Sequence, residues 1–331
     1  MLRRLLAGDS LTQQESAILI GEIMDGGLSP IQAAGLFTAL AAKGESIDEI
    51  AGAARAMRER SLHVRHDLPV VADIVGTGGD GADTINISTM AALVVAAAGV
   101  PVAKHGNRAA SSACGSADVL EAAGLELDVP PERAAKALAR TGFAFLFAPR
   151  YHPAMKYVAP VRRELGVRTI FNILGPLCNP ARATHQVVGV ARPELLEPVG
   201  AVLRELGTQA AAVVHGPGGI DEIGGDGLTQ VVSFDANGPR TWTLDPSEYG
   251  VRASRADIAG GSLKACSEAF QAILGGEDSP RADVVALNAA LALHLCGNGL
   301  SMRDAYGVAR SVQRSGKALL TFVAARGASN G

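Results

Sequence analysis

The sequence predicts an α/β protein in which a block of helices precedes a mostly parallel sheet. Three observations predict it. The first 60 residues carry three helix-start signals in succession, each leading into a helical run. From residue 70 onward, apolar strand-like runs alternate with helical runs, the order expected of parallel strands joined by crossover helices. Glycine-rich loops fall where several of those strands end.

The elements follow in order. Thr12-Gln13-Gln14-Glu15 is a capping-box pattern, and Gly26 follows the helix it opens. Ser29-Pro30 supplies an N-cap and a first-turn proline, and Gly44 stops that helix. Ser46-Ile47-Asp48-Glu49 repeats the capping box ahead of a helix ending near Arg60. Three short helices cannot each bury a face alone, so they must pack on one another or on a partner. The texture changes after His66. Val70-Val71-Ala72-Asp73-Ile74-Val75 reads as a buried strand, residues 76–83 as a loop, 88–98 as a helix and 100–103 as a short strand. A helix at 131–140 follows, then strands at 143–147 and 185–190, a helix at 194–206 and a strand at 210–215. Asp235-Ala236-Asn237-Gly238 reads as a hairpin turn. The C-terminal third reads as helices at 263–274, 282–296 and 302–314. One segment breaks the rhythm. Residues 153–165 are helical and basic, with Lys156, Arg162 and Arg163, and 168–180 carry two prolines without strand alternation. That segment is free to return to the N-terminal helices.

Composition agrees with a packed protein. Its 331 residues suffice for one large or two small domains, and 48% hydrophobic with 19% charged residues exclude disorder. The 30 basic and 33 acidic residues give a net charge of −3, so no global basic excess points to nucleic acid. Cys114, Cys178, Cys266 and Cys296 form no CxxC, which excludes zinc-finger and thioredoxin readings and suits a reducing cytosol. Asp9 interrupts the start before a signal-peptide core develops. The longest apolar run, residues 90–103, is too short to span a bilayer. Glycine is the anomaly, at 39 of 331 residues with no Gly-X-Y period.

The glycines gather in loops that carry polar chemistry. Gly76-Thr77-Gly78-Gly79-Asp80-Gly81 lies between a strand and the helix start Asn86-Ile87-Ser88-Thr89. Glycines let backbone N–H groups approach an anion, and a helix N-terminus adds its dipole. A phosphate cradle and a tight βα turn both fit. No Gly-Lys-Ser/Thr follows and the spacing is not GxGxxG, so this is neither a P-loop nor a dinucleotide fingerprint. The second loop is Lys104-His105-Gly106-Asn107-Arg108-Ala109-Ala110-Ser111-Ser112, then Gly115-Ser116. Lys104 and Arg108 can neutralise phosphate, and the small residues Ala109, Ala110 and Ala113 favour a packed loop over a solvated one. Cys114 reads as a small filler and His105 as a structural hydrogen-bonder. In the third loop, Asp221-Glu222 follows the flexible turn His215-Gly216-Pro217-Gly218-Gly219-Ile220. Adjacent carboxylates suit Mg²⁺ that shares ligands with phosphate; a surface acidic turn fits as well. Arg162, with Arg163 and Arg168, suits either a solvated helix face or bidentate capture of a carboxylate.

Taken together, Gly76-Thr77-Gly78-Gly79-Asp80, Asn86-Ile87-Ser88-Thr89, the run from Lys104 to Ser112 and Arg168-Thr169-Ile170-Phe171-Asn172-Ile173-Leu174-Gly175-Pro176-Leu177 resemble the anthranilate phosphoribosyltransferase family over nearly the whole chain. The resemblance implies transfer of the phosphoribosyl group of phosphoribosyl pyrophosphate to the amine of anthranilate, with release of pyrophosphate, in tryptophan biosynthesis. It implies a small N-terminal helical domain, residues 1–65 with about 153–180, and a larger α/β domain with flanking helices, residues 66–152 with 181–331. The active site would lie at the hinge, in a cytoplasmic homodimer built through the helical domains. By position, Gly76, Gly79, Asp80, Thr84, Asn86, Ile87, Ser88, Thr89, Lys104, His105, Gly106, Asn107, Arg108, Ala109, Ala110, Ser111, Ser112 and Ser116 would bind phosphoribosyl pyrophosphate. Gly76, Asn107 and Arg162 would contact anthranilate. Ser88, Asp221 and Glu222 would hold one or two Mg²⁺ ions. The resemblance implies no covalent nucleophile or general base.

Two other readings compete. Pyrimidine nucleoside phosphorylases share this glycine-loop style, but they normally run longer and lack the Gly106-Asn107-Arg108 continuation. A non-catalytic relative that binds nucleic acid would carry a basic surface and lose the metal carboxylates, whereas this chain has a net charge of −3 and keeps Asp221-Glu222.

Overall fold

Capping chemistry sets the first helices. A computed structural model describes residues 1–109, 113–297 and 299–331. It begins with α1 (Leu2–Leu6), α2 (Gln13–Met24), α3 (Pro30–Lys43) and α4 (Ile47–Glu59). Thr12, Ser29 and Ser46 are the N-caps of α2, α3 and α4, each answered by a reciprocal side chain three residues on: Glu15, Gln32 and Glu49. Glu49 reaches further. It accepts from the Leu11 N–H at 2.9 Å and from Lys43 Nζ at 2.8 Å, tying the bundle together from inside.

The chain then alternates β1 (Ala72–Gly76), α5 (Ile87–Ala97), β2 (Val102–Gly106), α6 (Ser116–Ala122), α7 (Pro131–Thr141) and β3 (Phe143–Phe147). A short excursion follows, α8 (Ala148–Tyr151), α9 (Ala159–Leu165) and α10 (Phe171–Leu177), before β4 (His185–Gly189), α11 (Leu196–Glu205) and β5 (Ala210–His215). The hairpin β6 (Thr229–Asp235) and β7 (Gly238–Leu244) precedes α12 (Leu263–Leu274), α13 (Pro280–Cys296), α14 (Met302–Arg314) and α15 (Lys317–Asn330). The sheet runs β3-β2-β1-β4-β5-β6-β7. Its first five strands are parallel, and the hairpin adds two antiparallel strands at one edge. Chain order reverses between β1 and β4, so the crevice beyond their C-terminal ends is the switch point where an open α/β sheet receives ligands.

Each sheet face has its own core, as the two-residue period of strands requires. Ile74, Val187, Ala212 and Val214 face the C-terminal helices α12, α13 and α15 together with α5. Val188, Ala211 and Val213 face α11 and the N-terminal bundle. Val158, Val161, Phe171, Leu174 and Leu177 join that second core, so the 158–178 segment does return to the N-terminal helices. Buried polar groups moor it to the sheet. Asn179 Nδ2 donates to Asp73 Oδ2 and to the Ala103 carbonyl, both at 2.7 Å, and Gln186 Nε2 donates to the Pro176 carbonyl at 3.0 Å.

The structure departs from the sequence reading in three places. The strand expected at 100–103 runs Val102–Gly106. Apolarity ends at Ala103, but Lys104 and His105 stay in register with Phe145 and Leu146 of β3 and are buried. Residues 153–165 split into a 3₁₀ turn, Pro153–Tyr157, and α9. Helices α1, α6, α8, α10 and α15 carried no expectation. Among the described residues, no helix is long and apolar enough to cross a membrane.

Candidate active site

A cavity of about 380 Å³ opens at the switch point, between the strand ends and the α9–α10 excursion. Glycines make it possible. At Gly76 the last residue of β1 leaves room for the Asp221 carboxylate, which would collide with any Cβ there. Gly79 holds φ at +72°, a backbone state open to glycine at little cost. Asp221 Oδ2 accepts from the Gly78 N–H at 2.7 Å. Glu222 Oε1 accepts from the Ser88 N–H at 3.0 Å and Oε2 from Thr84 Oγ1 at 3.3 Å. The third loop therefore closes over the glycine loop and the first turn of α5.

The charge in this arrangement is unbalanced. Burial, with Asp80 nearby, pushes the Asp221 carboxyl up to about 6. Burial and the adjacent Asp221 hold Glu222 well above its ordinary range. Lys104 faces them from β2, its Nζ donating to the Ile74 carbonyl at 2.6 Å and to Ser88 Oγ at 3.4 Å. Its own burial pushes its pKa down, against the pull of Asp73, Glu222 and Asp221. Two adjacent carboxylates, Glu222 buried and Asp221 half-buried, facing one buried ammonium leave a site that gains from a further cation. The oxygen donors fit a hard ion such as Mg²⁺. Among the described residues no three His, Cys, Asp or Glu side chains converge as a self-sufficient metal site, so an ion here would complete its shell with substrate or water oxygens. Among the described residues, the Thr89 hydroxyl, buried on the cavity wall in the first turn of α5, has no hydrogen-bond partner. An anion at that helix end would satisfy it.

Most of the expected binding residues line this cavity: Gly76, Gly79, Asp80, Thr84, Asn86, Ser88, Thr89, the run Lys104 to Ala109, and Ser116, together with Arg162, Asp221 and Glu222. Ile87 does not. Its side chain is fully buried in the core beneath α5. Ala110, Ser111 and Ser112 lie outside the described residues. Arg108 lines the wall, but its guanidinium bonds Glu121 at 2.7 and 2.8 Å and Asp118 at 3.1 Å, so its charge is already matched. Arg162 is different. Among the described residues it has no ion-pair partner, and its guanidinium lies 5.9 Å from the Phe171 ring centroid. Asn107 is held in place by its backbone, whose carbonyl accepts from the Ala117 N–H at 3.1 Å and from Ser116 Oγ at 3.2 Å.

His105 bonds the Gly175 carbonyl through Nδ1 at 3.1 Å, the structural hydrogen bond expected of it. Its ring lies 5.0 Å from that of His152. Burial pushes His105 down to about 4 and His152 to about 3, so both imidazoles are neutral at pH 7. The sequence reading gave no role to Phe171, Pro176 or Ala148, which form an apolar wall beside Arg162; Arg168, read there with Arg162 as a candidate for carboxylate capture, donates to the Gly79 carbonyl. Phe171 and Pro176 stand in the motif that carried the resemblance. Their place in the cavity follows from the return of α10 to the sheet, which no local pattern records.

Known proteins share this architecture. Residues 1–61 match the glycosyl transferase family's helical bundle domain, and residues 68–319 its a/b domain. An anthranilate phosphoribosyltransferase of Moorella thermoacetica is 48% identical over 96% of this chain and 94% of its own length. The crystal structure of anthranilate phosphoribosyltransferase from Thermus thermophilus superposes with a TM-score of 0.94 at 45% identity, covering 100% of this chain and 99% of that one. The Saccharomyces cerevisiae enzyme in complex with phosphoribosyl pyrophosphate and Mg superposes with a TM-score of 0.90 at 28% identity, covering 99% of this chain and 96% of that one.

Proposed function

This chain belongs to the anthranilate phosphoribosyltransferase family, and we propose that its cavity holds phosphoribosyl pyrophosphate against the glycine loop and anthranilate beside Arg162. The enzyme transfers the phosphoribosyl group of phosphoribosyl pyrophosphate to the amine of anthranilate, giving N-(5-phosphoribosyl)anthranilate and pyrophosphate for tryptophan biosynthesis. It is a Mg²⁺-dependent pentosyltransferase.

One observation supports the division of the site most: Asp221 and Glu222 are brought together over the glycine loop and the N-terminus of α5, where they accept from the Gly78 and Ser88 N–H groups. Asp221, Glu222 and Ser88 would hold Mg²⁺, which supplies positive charge to the departing pyrophosphate when bound. Lys104, the Thr89 hydroxyl and loop N–H groups add donors to the same oxygens. Arg162 is free to take the anthranilate carboxylate, with Phe171 and Pro176 against the ring and Asn107 beside the amine. His105, neutral at pH 7, adds no charge to the cavity wall.

No nucleophile–base pair is needed. The aniline nitrogen carries a lone pair and is mostly neutral at pH 7, so it attacks the ribose C1 directly. The harder task is loss of pyrophosphate, which leaves oxocarbenium character on the ribose. Residues on the glycine-loop side stabilise that leaving group, and Arg162 and Asn107 align the amine. We assign residues 1–65 with about 153–180 to a helical domain that closes on an α/β domain of 66–152 with 181–331, excluding water from the activated ribose. Met1, Leu2, Leu6 and Ile31 stand exposed on α1 and α3, an apolar surface that suits a homodimer through the helical domains. Four free cysteines suit the cytoplasm.

The test is loss of anthranilate fluorescence on mixing the protein with Mg²⁺, phosphoribosyl pyrophosphate and anthranilate. Conversion that requires all three additions is expected. No conversion at any Mg²⁺ concentration would overturn the reading.

A further inference from the structure

We propose that Arg168 is a positioning residue for the glycine loop: it holds the Gly79 carbonyl and so turns the Asp80 N–H towards the substrate diphosphate. Arg168 stands in the turn between α9 and α10, just after Gly166, which ends α9 in the left-handed conformation with φ at +62°. Thr169, the next residue, donates its N–H to Asn172 Oδ1 at 3.0 Å, which ties that turn to the start of α10. Arg162, on α9, lines the main cavity. Arg168 instead lines a separate cavity of about 70 Å³, together with Thr77 and Gly78. Among the described residues, the hydrogen bond its guanidinium makes goes to the Gly79 carbonyl.

Other groups pin the rest of the loop. The Thr77 N–H donates to the Gly189 carbonyl at 2.9 Å, the Gly78 N–H to Asp221 Oδ2 at 2.7 Å, and the Ala82 N–H to Asp80 Oδ1 at 3.2 Å. Among the described residues, the N–H groups of Gly79, Asp80 and Gly81 find no acceptor. Gly78, Gly79 and Gly81 hold φ at +64°, +72° and +69°, and glycines are free to leave such states. A group outside the loop must therefore fix which way these peptides face. Arg168 does so at one of them. In a trans peptide the C=O and N–H point in opposite directions, and no peptide bond here is cis. Gly79 and Asp80 line the main cavity, not the one that Arg168 lines. A Gly79 carbonyl held from outside the main cavity thus sends the Asp80 N–H the other way, into it. The guanidinium charge also polarises that peptide and strengthens the N–H as a donor.

The consequence rests on the reading of the cavity given above. A donor aimed in advance at the pyrophosphate oxygens gains strength as they take up charge on leaving. Arg168 touches no substrate and acts through the loop. Because Arg162 and Arg168 flank one turn, a single segment addresses both substrates, one directly and one through the Gly79–Asp80 peptide.

The experiment measures binding of inorganic pyrophosphate with Mg²⁺ by calorimetry, which needs no turnover, and steady-state kinetics in parallel. Arg168→Ala should weaken pyrophosphate binding and raise KM for phosphoribosyl pyrophosphate by about tenfold, the scale of a lost hydrogen bond to a charged group. KM for anthranilate should stay near that of the parent. The urea midpoint should stay there too, because Arg168 is exposed. Arg168→Lys should recover part of the loss, since lysine keeps the charge without the planar fork. Free guanidinium ion at non-denaturing concentration should restore part of it in Arg168→Ala. Parent-like pyrophosphate affinity in Arg168→Ala, an equal rise in both KM values, or the same weakening in Arg204→Ala, which removes an exposed cation from α11, would each overturn the proposal. A parent protein that binds pyrophosphate without converting anthranilate would count against the proposed function and leave Arg168 to be judged by binding alone.

Discussion

Asp221 crosses Gly189 so closely that its backbone carbonyl occupies the place a Gly189 side chain would take. Its carboxylate, on the other side, fills the place of a Gly76 side chain. One residue thus sits on the ends of both strands at the switch point, and the two glycines have different tasks. A backbone carbonyl cannot move aside, whereas a carboxylate can rotate. Gly189→Ala should cost stability, about 1–3 kcal/mol or more in urea unfolding. Gly76→Ala should cost less stability and more activity, because it turns Asp221 away from the Gly78 N–H. Equal losses of stability in the two variants would contradict this division.

Arg162→Ala should weaken use of anthranilate by about 1.5–3 kcal/mol, the scale of a lost charge-assisted hydrogen bond. The loss should appear in KM for anthranilate, with KM for phosphoribosyl pyrophosphate near that of the parent. Unchanged kcat/KM for anthranilate would remove Arg162 from the site.

Metal binding should depend on pH in a defined direction. Asp221 titrates near 6 and Glu222 above its ordinary range, because both are buried side by side. A proton and Mg²⁺ compete for the same oxygens, so apparent Mg²⁺ affinity should fall as pH drops through 6. The fall should approach about tenfold per pH unit for each proton displaced. Mg²⁺ titrations of turnover at several pH values measure it. A flat profile across this range would show that these carboxylates do not compete for the metal.

Asn179→Ala tests the mooring of α10 on the sheet. It removes a donor from Asp73, whose carboxyl burial already raises to about 6. Asp73 folds more favourably protonated than ionised. Its effect on stability is therefore best below its ordinary 3.8 and worsens as pH rises to about 6, beyond which it is constant. The variant's deficit, about 1–3 kcal/mol, should be larger at about pH 8 than at about pH 4. Chemical denaturation at the two pH values reads this directly, and a deficit that shrank with rising pH would contradict it.

Much of this architecture was legible because the local signals are strong. The capping boxes at Thr12 and Ser46, and the N-cap Ser29 before Pro30, mark helix starts by hydrogen bonds made within four residues. Strands Phe143–Phe147 and Ala210–His215 are continuous apolar runs bounded by turns. The extension of β2 to Gly106 was not legible. Lys104 and His105 look like loop residues until their partners, the Ile74 and Gly175 carbonyls, are brought near by folding. The site shows the same limit. Glycines and carboxylates announced a phosphate and metal site, but Ile87 was counted as a contact only because it lies within a motif, and its side chain belongs to the core. Arg108 read as a free cation, and its partners Asp118 and Glu121 come from α6, a helix that carried no expectation.

In the proposed site, Asp221 and Glu222 would receive the metal on which turnover depends. The direct measurement is the Mg²⁺ dependence of turnover in Asp221→Asn combined with Glu222→Gln, at saturating anthranilate and phosphoribosyl pyrophosphate. A large loss of turnover and a Mg²⁺ requirement shifted to much higher concentration are expected, in a protein that still folds. A metal titration that matched the parent's would contradict it.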